Sequence, residues 1–125
     1  VKRVLVVEHD NLHRELIREW LEAAGAQVVW PERAAKVPGD IDAILVDVAC
    51  QQQAHEVLLP WRRAYPRAAI VLASGRFCRE DMANDAMALR LGATRILAKP
   101  YARSDLWAAL DLLTDPTAPA QRHRC

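Results

Sequence analysis

The sequence carries almost no excess charge. Seventeen basic residues against sixteen acidic ones leave a formal net charge of +1, so bulk electrostatics does not draw the chain to nucleic acid or to a membrane surface. No apolar run approaches the roughly 20 residues that cross a bilayer. The sequence opens directly on a strand pattern, without a signal peptide, and we expect a cytoplasmic protein. Cysteine is scarce: Cys50, Cys78 and Cys125 are odd in number and lack metal-type spacing, which fits a reducing compartment better than a disulfide framework. Internal repeats and low-complexity segments are absent. So is a glycine-rich phosphate loop after the first strand, which argues against a flavodoxin-like cofactor enzyme.

What is present is an ordinary globular composition, 52% apolar and 26% charged over 125 residues, enough for one domain with a real core and too little for two. Apolar runs at 4–7, 41–46, 69–73 and 94–98, with a shorter one at 27–30, read as strands buried on both faces. Between them lie helical patterns. Leu12, Leu16, Ile17, Trp20, Leu21 and Ala24 mark one face of a helix that Asp10 or Asn11 can cap and Gly25 can end. Residues 32–36 allow only a stub of helix. A helix is expected over 52–65, kinked or restarted at Pro60, another over 79–91 ending at Gly92, and a last one over 104–113 with Ser104 as its cap. Two prolines and little apolar content in 115–125 predict a flexible tail behind a domain of residues 1–114.

Strands alternating with helices imply a doubly wound α/β fold, a parallel sheet with helices on both faces; five strands suit the order 2-1-3-4-5, which opens a crevice at the carboxyl ends of strands one and three. Charged residues gather at those ends. Glu8 and Asp10 follow the first strand, Asp47 ends the third and Lys99 the fifth.

Four segments bear a family resemblance: Val4-Leu-Val-Val-Glu-His-Asp10, Asp42-Ala-Ile-Leu-Val-Asp47, Ile70-Val-Leu-Ala-Ser-Gly75 and Leu91-Gly-Ala-Thr-Arg-Ile-Leu-Ala-Lys-Pro-Tyr101. Together they resemble the receiver domain of two-component response regulators, over roughly residues 2–114. The last segment is the most specific, because Gly-Ala, a strand and then Lys-Pro-aromatic is a family hallmark. The resemblance implies a flavodoxin-like fold and a signalling role rather than an enzyme. Asp47 would accept a phosphoryl group from a histidine kinase or a histidine phosphotransfer protein, with Ser74 and Lys99 contacting the phosphoryl oxygens. Glu8, Asp47 and the backbone carbonyl of Ala49 would hold Mg²⁺, with His9 or Asp10 as a further candidate ligand. It also implies a cis Lys99–Pro100 bond and close backbone approach at Gly75. A carboxylate is a competent nucleophile for such a transfer once the incoming negative charge is neutralised.

The chain departs from the family at several positions. His9 stands where a metal-binding carboxylate is expected, and imidazole is a poor ligand for a hard ion, so we expect weakened Mg²⁺ binding. Asp10 reads more simply as a helix cap. The loop after Asp47 lacks the usual proline and glycine. Ile96 replaces the aromatic residue of the fifth-strand switch. These departures define the alternative, a degenerate receiver that acts as a phosphorylation-independent interaction module; retention of Asp47, Ser74 and Lys99 favours phosphorylation. Cys50, Cys78 and His9 would be the members of any soft-metal or redox site. His13 and His55 read as helix-surface residues. Family analogy puts effector or dimer contacts on the last two helices and the fifth strand, with Arg90, Arg95, Tyr101 and Trp107 as candidates and Trp107 equally readable as core. No helix-turn-helix pattern follows the last helix, so we expect no direct nucleic-acid contact and either a stand-alone receiver or a piece of a longer regulator.

Overall fold

The computed structural model describes residues 2–36 and 40–112. It holds five strands, β1 (Arg3–Val7), β2 (Gln27–Val29), β3 (Ala43–Asp47), β4 (Ala69–Ser74) and β5 (Arg95–Ala98), and four α-helices, α1 (Asn11–Ala23), α2 (Ala54–Ala64), α3 (Asp85–Leu91) and α4 (Arg103–Ala109). Every strand pair is parallel and the order is β2-β1-β3-β4-β5, as the sequence pattern predicts. Alternation along each strand splits the core in two. Val4, Val6, Leu45 and Val71 face Ile17 and Leu21 of α1 and Leu106 of α4. Leu5, Ile44, Val46 and Leu72 face Leu58 of α2 and Ala88 of α3. Both faces of the sheet are therefore covered, which is why the central strands read as unbroken apolar runs.

Asp10 caps α1, its carboxylate accepting from the N–H groups of Leu12 and His13. Gly25 follows the helix with a φ of 80°. The apolar face expected of α1 is only partly buried. Ile17 and Leu21 are core, but Leu12 is 83% and Leu16 40% exposed, because the buried length of the helix begins only at Ile17. The expected stub after β2 is a 3-10 turn, Pro31–Lys36. Residues 37–39, including Pro38 and Gly39, lie outside the described residues.

Pro60 does not restart α2, which runs from Ala54 to Ala64 behind a 3-10 turn at Gln51–Gln53. Pro60 and Glu56 are both exposed, so the proline and the residue whose carbonyl loses its helical partner both lie on the solvent side of the helix. The helix expected over 79–91 is instead two pieces, a 3-10 turn at Arg79–Ala83 and α3. Asn84 breaks it by accepting from the Met87 N–H through its side chain, a local bond that competes with helix continuation. The last helix starts one residue earlier than expected and ends sooner. Its cap is not Ser104: the Asp105 carboxylate accepts from the Ala102 N–H. Leu110 follows α4, and Asp111 has a φ of 55°. Leu113 and the predicted tail, with Cys125, lie outside the described residues.

Candidate functional site

The fold brings the carboxyl ends of β1, β3, β4 and β5 to one edge. Glu8 follows β1, Asp47 and Ser74 are the last residues of β3 and β4, and Lys99 follows β5. Main-chain bonds lock these ends together. The Lys99 N–H donates to the Ser74 carbonyl at 3.1 Å, and the Val48 N–H to the Ala73 carbonyl at 2.9 Å. The Lys99–Pro100 peptide is cis.

At the centre of the edge stands the Lys99 ammonium. Its Nζ lies 2.7 Å from Asp47 Oδ1 and 3.0 Å from Glu8 Oε1. Burial pulls the Lys99 pKa down, but the hydrogen bonds to Asp47 and Glu8 outweigh it and hold the pKa above its ordinary value. Glu8 is buried, and its other oxygen accepts from the Asp10 N–H at 3.2 Å. Asp47 is only half-buried, so its carboxylate is reachable from solvent. Ser74 is fully buried. Its Oγ accepts from the Arg76 N–H at 3.1 Å, which leaves the hydroxyl proton to donate. Gly75 borders the same region, and nothing lies within 4 Å of where a Cβ would project. The Tyr101 phenol is pushed up by burial and by the negative charges of Glu8 and Asp47.

Two carboxylates against one ammonium leave this edge with net negative charge. Asp47 Oδ1 and Glu8 Oε1 are presented to the same ammonium, so two anionic donors converge on this edge of the sheet. The donors are oxygens, the kind a hard divalent ion takes, with water completing the shell. Ala49 lies in the bend just after β3 and is exposed. Asp10 is engaged as the α1 cap. His9 is exposed and makes no hydrogen bond or ion pair among the described residues. Among those residues no group of three or more His, Cys, Asp or Glu side chains is placed to hold a metal ion, so the soft-metal site considered for Cys50, Cys78 and His9 is not assembled. Cys78 is exposed, with Sγ 3.4 Å from Asp81 Oδ2, and that bond raises its thiol pKa.

His13, expected on a helix surface, reaches the site. Its Nδ1 is 3.4 Å from Lys99 Nζ and 3.9 Å from Glu8 Oε1. The available signal was its place three residues after the Asp10 cap, in the helical turn that starts at the end of β1. His55 is exposed as expected, its ring beside Gly92. A groove of about 370 Å³ adjoins the site, with His13, Leu16, Trp20, Lys99, Pro100 and Tyr101 among its walls.

The candidate contact residues fall into different classes. Arg90 is exposed at the end of α3. Arg95 is engaged within the chain, with the Ala108 carbonyl at 2.7 Å and Asp111 at 3.0 Å. Trp107 donates its indole N–H to the Trp20 carbonyl at 2.8 Å, under the Arg103 guanidinium. Ile96 is buried against the α2 and α3 side of the sheet.

No protein-family model matches the sequence. The chain is 27% identical over 117 residues to the transcriptional regulatory protein QseB of Escherichia coli O157:H7, covering 89% of this chain and 52% of that protein. It therefore spans about half the length of that curated relative. Among solved structures it resembles a response regulator from Thermotoga maritima, with TM-score 0.69 at 19% identity over 89% of this chain and 95% of that one. It also resembles a Burkholderia pseudomallei response regulator solved with a phosphorylated aspartic acid, calcium ion and citrate, with TM-score 0.67 at 24% identity over 88% of this chain and 66% of that one. The fold is that of response-regulator receiver domains.

Proposed function

We infer that this receiver-type domain accepts a phosphoryl group on Asp47 in a two-component phosphorelay. The observation that carries the inference is the Lys99 ammonium held between Asp47 Oδ1 and Glu8 Oε1 at the carboxyl edge of the sheet. A free Asp47 oxygen attacks the phosphorus of a phosphohistidine donor. The P–N bond breaks, a P–O bond forms, and the imidazole leaves with a proton. Lys99 and the Ser74 hydroxyl then neutralise and hold the phosphoryl oxygens.

Glu8, Asp47 and the Ala49 carbonyl are the residues that would hold Mg²⁺, which would supply positive charge against the arriving phosphoryl group. His9 supplies no oxygen, so that binding is weaker than with a carboxylate there. The donor is a histidine kinase or phosphotransfer protein in the cytoplasm, and the protein acts as a signalling domain rather than an enzyme. Effector or homodimer contacts fall on α3, β5 and α4, where Arg90 is exposed. The alternative, a phosphorylation-independent module, has no need of the Asp47, Lys99 and Ser74 set. The test is an NMR titration with beryllofluoride and Mg²⁺. Wild type is expected to shift signals around Asp47, Ser74 and Lys99, and Asp47→Asn to shift none; a silent wild type at saturating reagent contradicts the reading.

A further inference from the structure

Lys99 has three ammonium protons, and the two carboxylates engage two of them. The third direction meets His13. Its Nδ1 is 3.4 Å from Lys99 Nζ, nearer than the 3.9 Å to Glu8 Oε1. An ammonium can only donate, so a proton on Nδ1 would point at another donor. The contact is favourable only if Nδ1 carries the lone pair, which puts the ring proton on Nε2. The His13 side chain is half exposed.

We propose that His13, as the Nε2–H tautomer, is a positioning residue that holds Lys99 through Nδ1 for the phosphoryl group on Asp47. The proposal rests on the phosphoacceptor reading of Asp47. In the resting site Lys99 sits closest to Asp47 Oδ1, and that bond draws electron density from the nucleophile. When the phosphoryl group arrives, the ammonium must turn from the carboxylate to a phosphoryl oxygen. Glu8 and His13, both on the β1–α1 side, give it two fixed acceptors through that turn. With the third proton left to mobile water, Lys99 is less well aimed. Asn is the conservative replacement, because its Oδ1 falls near the place of Nδ1; Leu removes the acceptor and keeps the bulk.

The experiment pairs two measurements on the full chain at one pH. Long-range ¹⁵N–¹H correlation reads the His13 tautomer directly, and beryllofluoride with Mg²⁺ reads affinity at Asp47. The expected results are an Nε2–H ring, affinity roughly threefold to tenfold weaker in His13→Leu, and near wild-type affinity in His13→Asn. Thermal unfolding should be nearly unchanged, since the residue is exposed on α1. An Nδ1–H ring, or equal affinity in wild type and His13→Leu, overturns the proposal and leaves the phosphoacceptor reading standing. A wild type that takes no beryllofluoride overturns both.

Discussion

Lys99 joins Asp47 to Glu8: one ammonium nitrogen stands 2.7 Å from the first and 3.0 Å from the second. The two carboxylates come from strands that are neighbours in the sheet, and the cation that keeps them together comes from the far end of the chain. Because the Lys99 pKa is raised above 10.5, its contribution to stability is complete below the unfolded value. It is lost only as pH rises through the folded one. The arrangement is therefore constant across the neutral range.

Lys99→Met removes that cation and leaves Glu8 buried beside Asp47 with no counter-charge. Unfolding by denaturant at pH 7 should show a loss of about 1–3 kcal/mol. A variant as stable as wild type at pH 7 would show that the ammonium is dispensable to the fold.

His9→Asp puts an oxygen donor beside Glu8, where the present residue offers a ring nitrogen that makes no hydrogen bond or ion pair among the described residues. Mg²⁺ affinity, followed by fluorescence or NMR titration, should rise several-fold. Equal affinities in the two proteins would show that the histidine is not what limits binding.

Asp105 caps α4 at the Ala102 N–H and pairs with Arg79 at 3.2 Å. Burial raises its pKa, but the Arg79 and Ala102 hydrogen bonds outweigh that and lower it below 3.8. Its contribution is thus present above the unfolded value and disappears as pH falls through the lower folded one. Asp105→Ala should cost about 1 kcal/mol at pH 7, and Asp105→Asn less, because the amide oxygen keeps the cap. The difference between wild type and Asp105→Ala should close in strong acid.

Gly92 ends α3 with a φ of 88°. A Cβ there would stand 3.2 Å from Arg62 Nη1 and 3.4 Å from His55 Nδ1. Gly92→Ala should destabilise the domain by about 1–2 kcal/mol, mostly through the left-handed backbone and less through the flexible arginine, which can move. Chemical denaturation measures it.

The sheet and the meeting of Asp47, Glu8 and Lys99 were legible because a strand buried on both faces must be apolar throughout. A charged residue then marks where it ends. Parallel pairing followed from the alternation with helices, and five strands suited the order 2-1-3-4-5. Other features turned on interactions that residue type alone does not decide. The spacing of Leu12 and Leu16 matches that of Ile17 and Leu21, yet only the latter pair lies on the sheet. Asn84 and Asp105 each satisfied a backbone N–H locally, which split one helix and moved the start of another. His9 and His13 are both histidines near the end of β1. Only the backbone of the first helical turn sends one to Lys99 and leaves the other in solvent.

The most direct test of the central claim is intact mass spectrometry after incubation with a small phosphodonor and Mg²⁺, on wild type and Asp47→Asn. Wild type is expected to gain one phosphoryl group, labile as an acyl phosphate is, and the variant none. No added mass in wild type at saturating donor and metal, or equal labelling of wild type and Asp47→Asn, would contradict it.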